Sequence, residues 1–155
     1  MNLGRALLAG AVAGAAGTTA LNAVTYLDMA VRGRPASSVP ETAVTKLSEK
    51  AGVPIPGDEE TRGNRLSGLG PLTGLLTGIS VGVVLGVARA AGWRPGQALG
   101  TVAAGAGAMA GTDGPMTALG VTQPRTWSAA DWVSDAIPHL AYGAVTAYAL
   151  ERLDS

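Results

Sequence analysis

Long uncharged apolar runs alternate along the chain with short polar clusters, and the lengths of the runs fix the elements they predict. The first run extends from Ala6 to Leu27 without a charge, and a second from Leu66 to Ala88. A helix of about 20 apolar residues is long enough to cross a hydrocarbon layer. There the backbone has to satisfy its own hydrogen bonds, so such a run is held helical. The pattern predicts spans at about residues 4–30, 66–91, 96–121 and 128–150 within a single membrane domain, 1–155. The one extended hydrophilic stretch is 31–65. Within it Ser38-Val39-Pro40-Glu41 reads as a helix start, with proline in the first turn and an acid near the positive end. Val44, Leu47 and Ala51 share a face and Gly52 is a natural stop, which predicts a short amphipathic surface helix over about 39–51. Val53-Pro54-Ile55-Pro56 is extended, and Gly57-Asp58-Glu59-Glu60-Thr61 is an acidic lead into the next helix.

Within the second run Gly70, Gly74, Gly78, Gly82 and Gly86 recur at every fourth position. In water each would cost a helix about 1 kcal/mol relative to alanine. In a bilayer the same residues make a ridge bare of side chains, along which another backbone approaches closely. A matching stripe, Gly96, Gly100, Ala104, Ala108 and Thr112, follows the turn Gly92-Trp93-Arg94-Pro95-Gly96. A turn that short makes the flanking helices antiparallel neighbours, so the two ridges are expected to form one seam between the second and third spans. The first span has a stripe of its own in Ala6, Gly10, Gly14, Thr18 and Asn22. In the third span Gly114-Pro115 is expected to kink or break the helix. The expected fold is therefore an all-α membrane protein: a four-transmembrane-helix bundle with Gly/Ala-rich packing ridges and a short amphipathic surface helix in the first loop.

Composition strengthens this picture. Of 155 residues, 47% are hydrophobic and 14% charged, with 23 glycines and neither cysteine nor phenylalanine. A soluble domain carries roughly 25% charged residues. The net charge is zero and no basic block occurs, which argues against a nucleic-acid partner. Without cysteine there is no disulfide and no thiolate-held zinc. Met1-Asn2-Leu3-Gly4-Arg5 followed by apolar sequence has the look of a secretory signal, but the run outlasts the usual apolar core of one and no small-x-small site closes it. A retained span is the reading preferred. Arg32, Arg34, Lys46, Lys50, Arg62, Arg65 and Arg125 fall on the side of the long loop, against Arg5, Arg89, Arg94 and Arg152 on the other. That excess leans toward a cytoplasmic 31–65 loop in an inner, cytoplasmic membrane.

The polar residues of the fourth span, Asp131, Asp135, His139, Tyr142 and Thr146, are spaced by three or four and share one helical face. The expected topology brings Asp28, Asp113, Asp131 and Asp135 toward one side of the membrane, with His139, the sole histidine, one turn deeper. Charges inside spans are costly unless paired or wet, so this group is a candidate proton or cation site. One histidine with two carboxylates could also bind a metal. Each residue has a structural alternative as well. Asp28 can pair with Arg32 or Arg34, Asp131 can cap its helix in a box with Ser128, and Asp113 can bond backbone freed at Pro115. Asp135 can pair with Arg125, Arg62 or Arg65, and His139 can donate to a carbonyl. No phosphate loop, HExxH or nucleophile elbow occurs, so no catalytic residue and no cofactor is assigned.

Three stretches, Leu21-Asn22-Ala23-Val24-Thr25-Tyr26-Leu27-Asp28-Met29-Ala30-Val31-Arg32-Gly33-Arg34-Pro35, Gly111-Thr112-Asp113-Gly114-Pro115-Met116 and Pro138-His139-Leu140-Ala141-Tyr142-Gly143, carry a family likeness. With them the chain resembles the small uncharacterised four-helix membrane proteins of actinobacteria. The resemblance implies a bacterial cytoplasmic membrane protein and carries no activity, cofactor or site residue with it. The function expected first is non-enzymatic: a structural or accessory membrane subunit whose partners are the lipid bilayer and a second copy or a larger membrane complex. A proton- or cation-handling transporter or channel component using the Asp/His cluster stands second, and a metal-dependent membrane enzyme third.

Overall fold

A computed structural model describes residues 2–154, which form five α-helices and one 3-10 turn, with no strand among the described residues. The helices are α1 (Leu3–Arg32), α2 (Val39–Ala51), α3 (Glu59–Ala90), α4 (Gln97–Ala118) and α5 (Ala129–Asp154). Two of them, α1 and α3, are long and apolar enough to cross a membrane. The other two expected spans, α4 and α5, hold more small and polar residues, among them Asp113, Asp131, Asp135 and His139.

Local chemistry sets the helix ends. The Asn2 side chain accepts from the Arg5 amide at 2.9 Å to start α1, and Gly33 ends it in the left-handed region at φ 62°. In α2, Pro40 lies in the first turn with Glu41, and Gly52 at φ 67° returns its amide to the Glu49 carbonyl. The third helix begins at Glu59, earlier than the apolar run alone predicts, because Asp58 accepts from the Thr61 amide at 2.9 Å and two acids follow in the first turn.

Two sequence expectations give way here. The first concerns Pro115, which neither ends nor interrupts α4: the helix runs on to Ala118. So near the C-terminus a proline forfeits a single backbone bond. The last turns are then closed by Leu119, Gly120 and Val121 amides donating to the Pro115, Thr117 and Met116 carbonyls.

The second concerns the glycine ladder. Its partner is α1, not α4. A Cβ added at Gly82 would collide with the Gly10 carbonyl and Gly14, one at Gly86 with the Ala6 carbonyl and Gly10, and one at Gly14 with the Gly78 carbonyl. The register descends along α3 as it climbs along α1, so the two helices are antiparallel with backbones in direct contact. Gly70 instead lies beneath Pro40 of α2, and nothing approaches Gly74 within 4 Å. The stripe of α4 turns to α5: Gly100 faces Ala147, Gly105 faces the His139 carbonyl, and Gly143 of α5 faces the Thr101 carbonyl, while Gly96 touches nothing within 4 Å. Ala104 and Ala108 are buried against Tyr142. A short turn makes α3 and α4 antiparallel but does not choose which faces meet. The α3 face toward α4 carries side chains in place of the glycine ridge: Val81 and Leu85 pack on Ala104 and Ala108, and with Val84 they line an open apolar groove of about 490 Å³ between the two helices.

The resulting order has α1 between α3 and α5, and α5 between α1 and α4. Tyr142 and Thr146 of α5 are the largest fully buried side chains. At one end, Asp154 pairs with Arg89 at 3.4 Å and Arg94 at 3.1 Å, and Arg5 donates to the Leu153 carbonyl. At the other, Arg32 of α1 donates to Ser134 of α5 at 3.2 Å.

Candidate functional site

The site is assembled at the end where Arg32 meets Ser134, between the last turns of α4 and the first turns of α5. The first turn of α5 is fixed by a reciprocal box: Asp131 Oδ2 accepts from the Ser128 amide at 2.9 Å and hydroxyl at 2.7 Å, and the Asp131 amide donates to Ser128 Oγ at 3.2 Å. From that start, steps of three and four residues carry Asp135, His139, Tyr142 and Thr146 down one face, toward α4 and α1.

Pro138 and His139 are both buried. The imidazole Nδ1 donates to the Asp135 carbonyl at 2.8 Å and lies 3.4 Å from Asp135 Oδ2. On the far side of the ring, Nε2 is 3.4 Å from Thr112 Oγ1 of α4, whose hydroxyl proton is directed at the Ala108 and Met109 carbonyls at 3.0 and 3.1 Å. Asp113, the next residue of α4, is half-buried beside Asp135, near enough for the two carboxyls to interact. Asp135 Oδ2 is buried with no hydrogen-bond donor. Among the described residues the only ion-pair partner of Asp135 is His139, and Arg125, Arg62 and Arg65 make no ion pair with it.

The six sequence candidates therefore divide. Asp113, Asp135 and His139 come together across the α4–α5 interface. Asp28 is held outside the group by Arg34 at 2.5 Å and Arg32 at 3.5 Å. Asp131 is occupied by its cap. Tyr142 points the other way, its hydroxyl donating to the Gly78 carbonyl of α3 at 2.7 Å. The sequence reading placed Thr112 on a packing stripe and missed it as a site residue; its polar side chain next to Asp113 was the available signal. Among the described residues no three His, Asp or Glu side chains converge to hold a metal ion.

This arrangement brings together groups that can bind and release protons: two carboxyls and one imidazole are neighbours across two helices, with the imidazole Nδ1 3.4 Å from Asp135 Oδ2. No family model, no curated protein and no solved structure matches the chain.

Proposed function

We propose that the protein is a multi-pass membrane protein in which α1, α3, α4 and α5 all cross the bilayer, serving as a non-enzymatic structural or accessory subunit. The observation that carries this reading is the inversion of inside and outside. In α1, α3 and α4 every buried position is alanine or glycine except Thr18, among them Ala6, Gly10, Ala13, Gly14, Gly78, Gly82, Gly86, Ala104 and Ala108; the large buried side chains, Tyr142 and Leu150, are confined to α5. Facing outward are Leu8 at 68% exposure, Leu76 at 62%, Val84 at 66% and Leu99 at 59%.

In water, leaving a leucine or valine exposed forfeits about 1.5–3 kcal/mol each relative to burial, so a soluble fold would place them the other way round. In lipid the outward side chains are solvated by acyl chains, and stability comes from close backbone approach between small residues. Exposed aromatics gather near the helix ends, Tyr26 and Trp132 at one end, Trp93 and Tyr148 at the other, as interfacial anchors do. Backbone-to-backbone seams along α1 make a stiff scaffold, which suits an accessory role. The 31–65 loop is assigned to the cytoplasm on its excess of lysine and arginine.

The natural absence of cysteine makes the topology directly testable. In cells carrying Ser48→Cys, Thr126→Cys or Arg94→Cys, a membrane-impermeant maleimide should label Arg94→Cys alone, with the other two labelled only after lysis. Chain recovered in the soluble fraction, or equal labelling of all three sites in intact cells, overturns the membrane reading. Native gels of gently solubilised membranes test the accessory role: migration of the chain solely as a monomer overturns it.

A further inference from the structure

We propose that Asp113, Asp135 and His139 form a proton-binding site shared between α4 and α5, with Thr112 as its fourth member, which makes contact between these helices responsive to pH. The inference rests on the membrane reading, because a low-dielectric setting is what makes the charge state of this cluster decisive.

The imidazole stands between acceptors on both sides. At Nδ1 these are the Asp135 carbonyl at 2.8 Å and Asp135 Oδ2 at 3.4 Å; at Nε2 it is Thr112 Oγ1 at 3.4 Å. The single Thr112 proton is committed to the Ala108 and Met109 carbonyls, so the hydroxyl presents a lone pair to the ring. A ring with a proton on each nitrogen satisfies all three acceptors. A ring with one proton leaves Nε2 lone pair against lone pair.

The carboxyl side points the same way. Asp135 Oδ2 is buried without a donor, and the Asp113 carboxyl beside it is the one group from α4 that can supply a proton. Two like charges on neighbouring, partly buried carboxyls are costly unless a proton or a cation stands between them. The charges on neighbouring elements are otherwise engaged. Arg32 of α1 bonds Asp28 and Ser134, Arg34 bonds Asp28, and Asp131 of α5 is held in its box with Ser128. Among the described residues α3 brings no ion pair to the site.

In the loaded state the Asp113 carboxyl donates to the Asp135 carboxylate, which also faces the Nδ1–H of a doubly protonated His139; the net charge is zero. Release of one proton to water at the loop end leaves one uncompensated negative charge between α4 and α5. The ligand of the site is the proton.

The sole histidine makes the test unambiguous. Protein with ¹⁵N-labelled histidine is reconstituted in nanodiscs of phosphatidylcholine and phosphatidylglycerol and followed by NMR and infrared spectroscopy between about pH 5 and 8, the range in which an imidazole ordinarily titrates. Expected are a ring carrying a proton on both nitrogens at the acid end, and a protonated-carboxyl C=O band that is wholly lost in Asp113→Asn and in Asp135→Asn but kept in Asp131→Asn. Asparagine matches the shape of a protonated carboxyl, and circular dichroism verifies that each variant is helical. A singly protonated ring throughout the range, or a carboxyl band that is missing from wild type or persists in either site variant, overturns the site while leaving the membrane reading intact. Protein that stays soluble and does not enter nanodiscs overturns both. Should a site variant fail to fold, the ring protonation of wild type decides alone.

Discussion

The Tyr142 hydroxyl of α5 donates to the Gly78 carbonyl of α3 at 2.7 Å, passing a ring edge across Gly17 of α1 on the way. One side chain thus fixes three helices. Gly17 and Gly78 leave the volume that the ring occupies, and the ring is fully buried. Tyr142→Phe keeps the ring and loses one hydrogen bond, so the expected cost is about 0.5–1.5 kcal/mol. Tyr142→Ala opens a cavity among all three helices and should cost about 3–5 kcal/mol. Reversible unfolding in mixed micelles measures both; equal losses would show that the hydrogen bond, not the ring, holds the junction.

The glycines of the ladder are predicted to differ sharply despite identical spacing. Gly82→Ala forces a methyl into the Gly10 carbonyl and should cost about 1–3 kcal/mol as α1 and α3 are pushed apart. Gly74→Ala meets nothing within 4 Å and should be neutral, or stabilising by up to about 1 kcal/mol. Unfolding of the two variants under identical conditions is the check, and matching losses would contradict the α1–α3 seam.

Asp154 ties α5 to Arg89 and to Arg94 in the α3–α4 turn, and its side chain is 7% exposed against 12% for Arg89. Removing one member of a buried pair strands the other. Asp154→Ala should therefore cost about 3 kcal/mol, less than the full penalty for an isolated pair because Arg94 is half exposed. The double variant Arg89→Leu with Asp154→Leu should recover much of the loss. A double variant as unstable as Asp154→Ala would show that the charges do more than compensate one another.

The start of α3 should depend on pH. The Thr61 hydroxyl and amide hold the Asp58 carboxyl below its ordinary range. A carboxylate depressed in the folded state stabilises above its unfolded value, and the contribution disappears as pH falls through the folded one. Amide protection over residues 59–65, taken relative to the intrinsic exchange rate at each pH, should fall on acidification, and Asp58→Ala should show that lower protection already at neutral pH with no further acid-induced loss. Unchanged protection in the variant would remove the cap from the account.

Much of this was readable from the sequence. Apolar run lengths place α1, α4 and α5 to within a few residues and the body of α3 but not its start, while Pro40, Glu41 and Gly52 bound α2 and Ser128 with Asp131 marks the start of α5. Helical spacing alone put Asp135 and His139 on one face, and topology brought Asp113 to the same end. What periodicity does not encode is which ridge meets which. Two small-residue stripes joined by a tight turn are complementary by spacing, yet α3 meets α4 through the side chains of Val81 and Leu85, and the bare face of α3 goes to Gly10 and Gly14 instead. Likewise, nothing in the spacing of Tyr142 distinguished a site residue from one whose hydroxyl crosses to Gly78.

The central position of α1 has a consequence for biogenesis. Its two packing partners, α3 and α5, both lie later in the chain, so Gly10 must wait for Gly82, and Ala13 for Thr146. The hairpin of α4 and α5, by contrast, is local and closes on itself once both helices have emerged. By chain order, the bare face of α1 is the first to be made and stays uncovered until α3 follows it, and the junction at Tyr142 can close only once α5 exists. A chain halted after α3 would hold its glycine seam and lack its keystone.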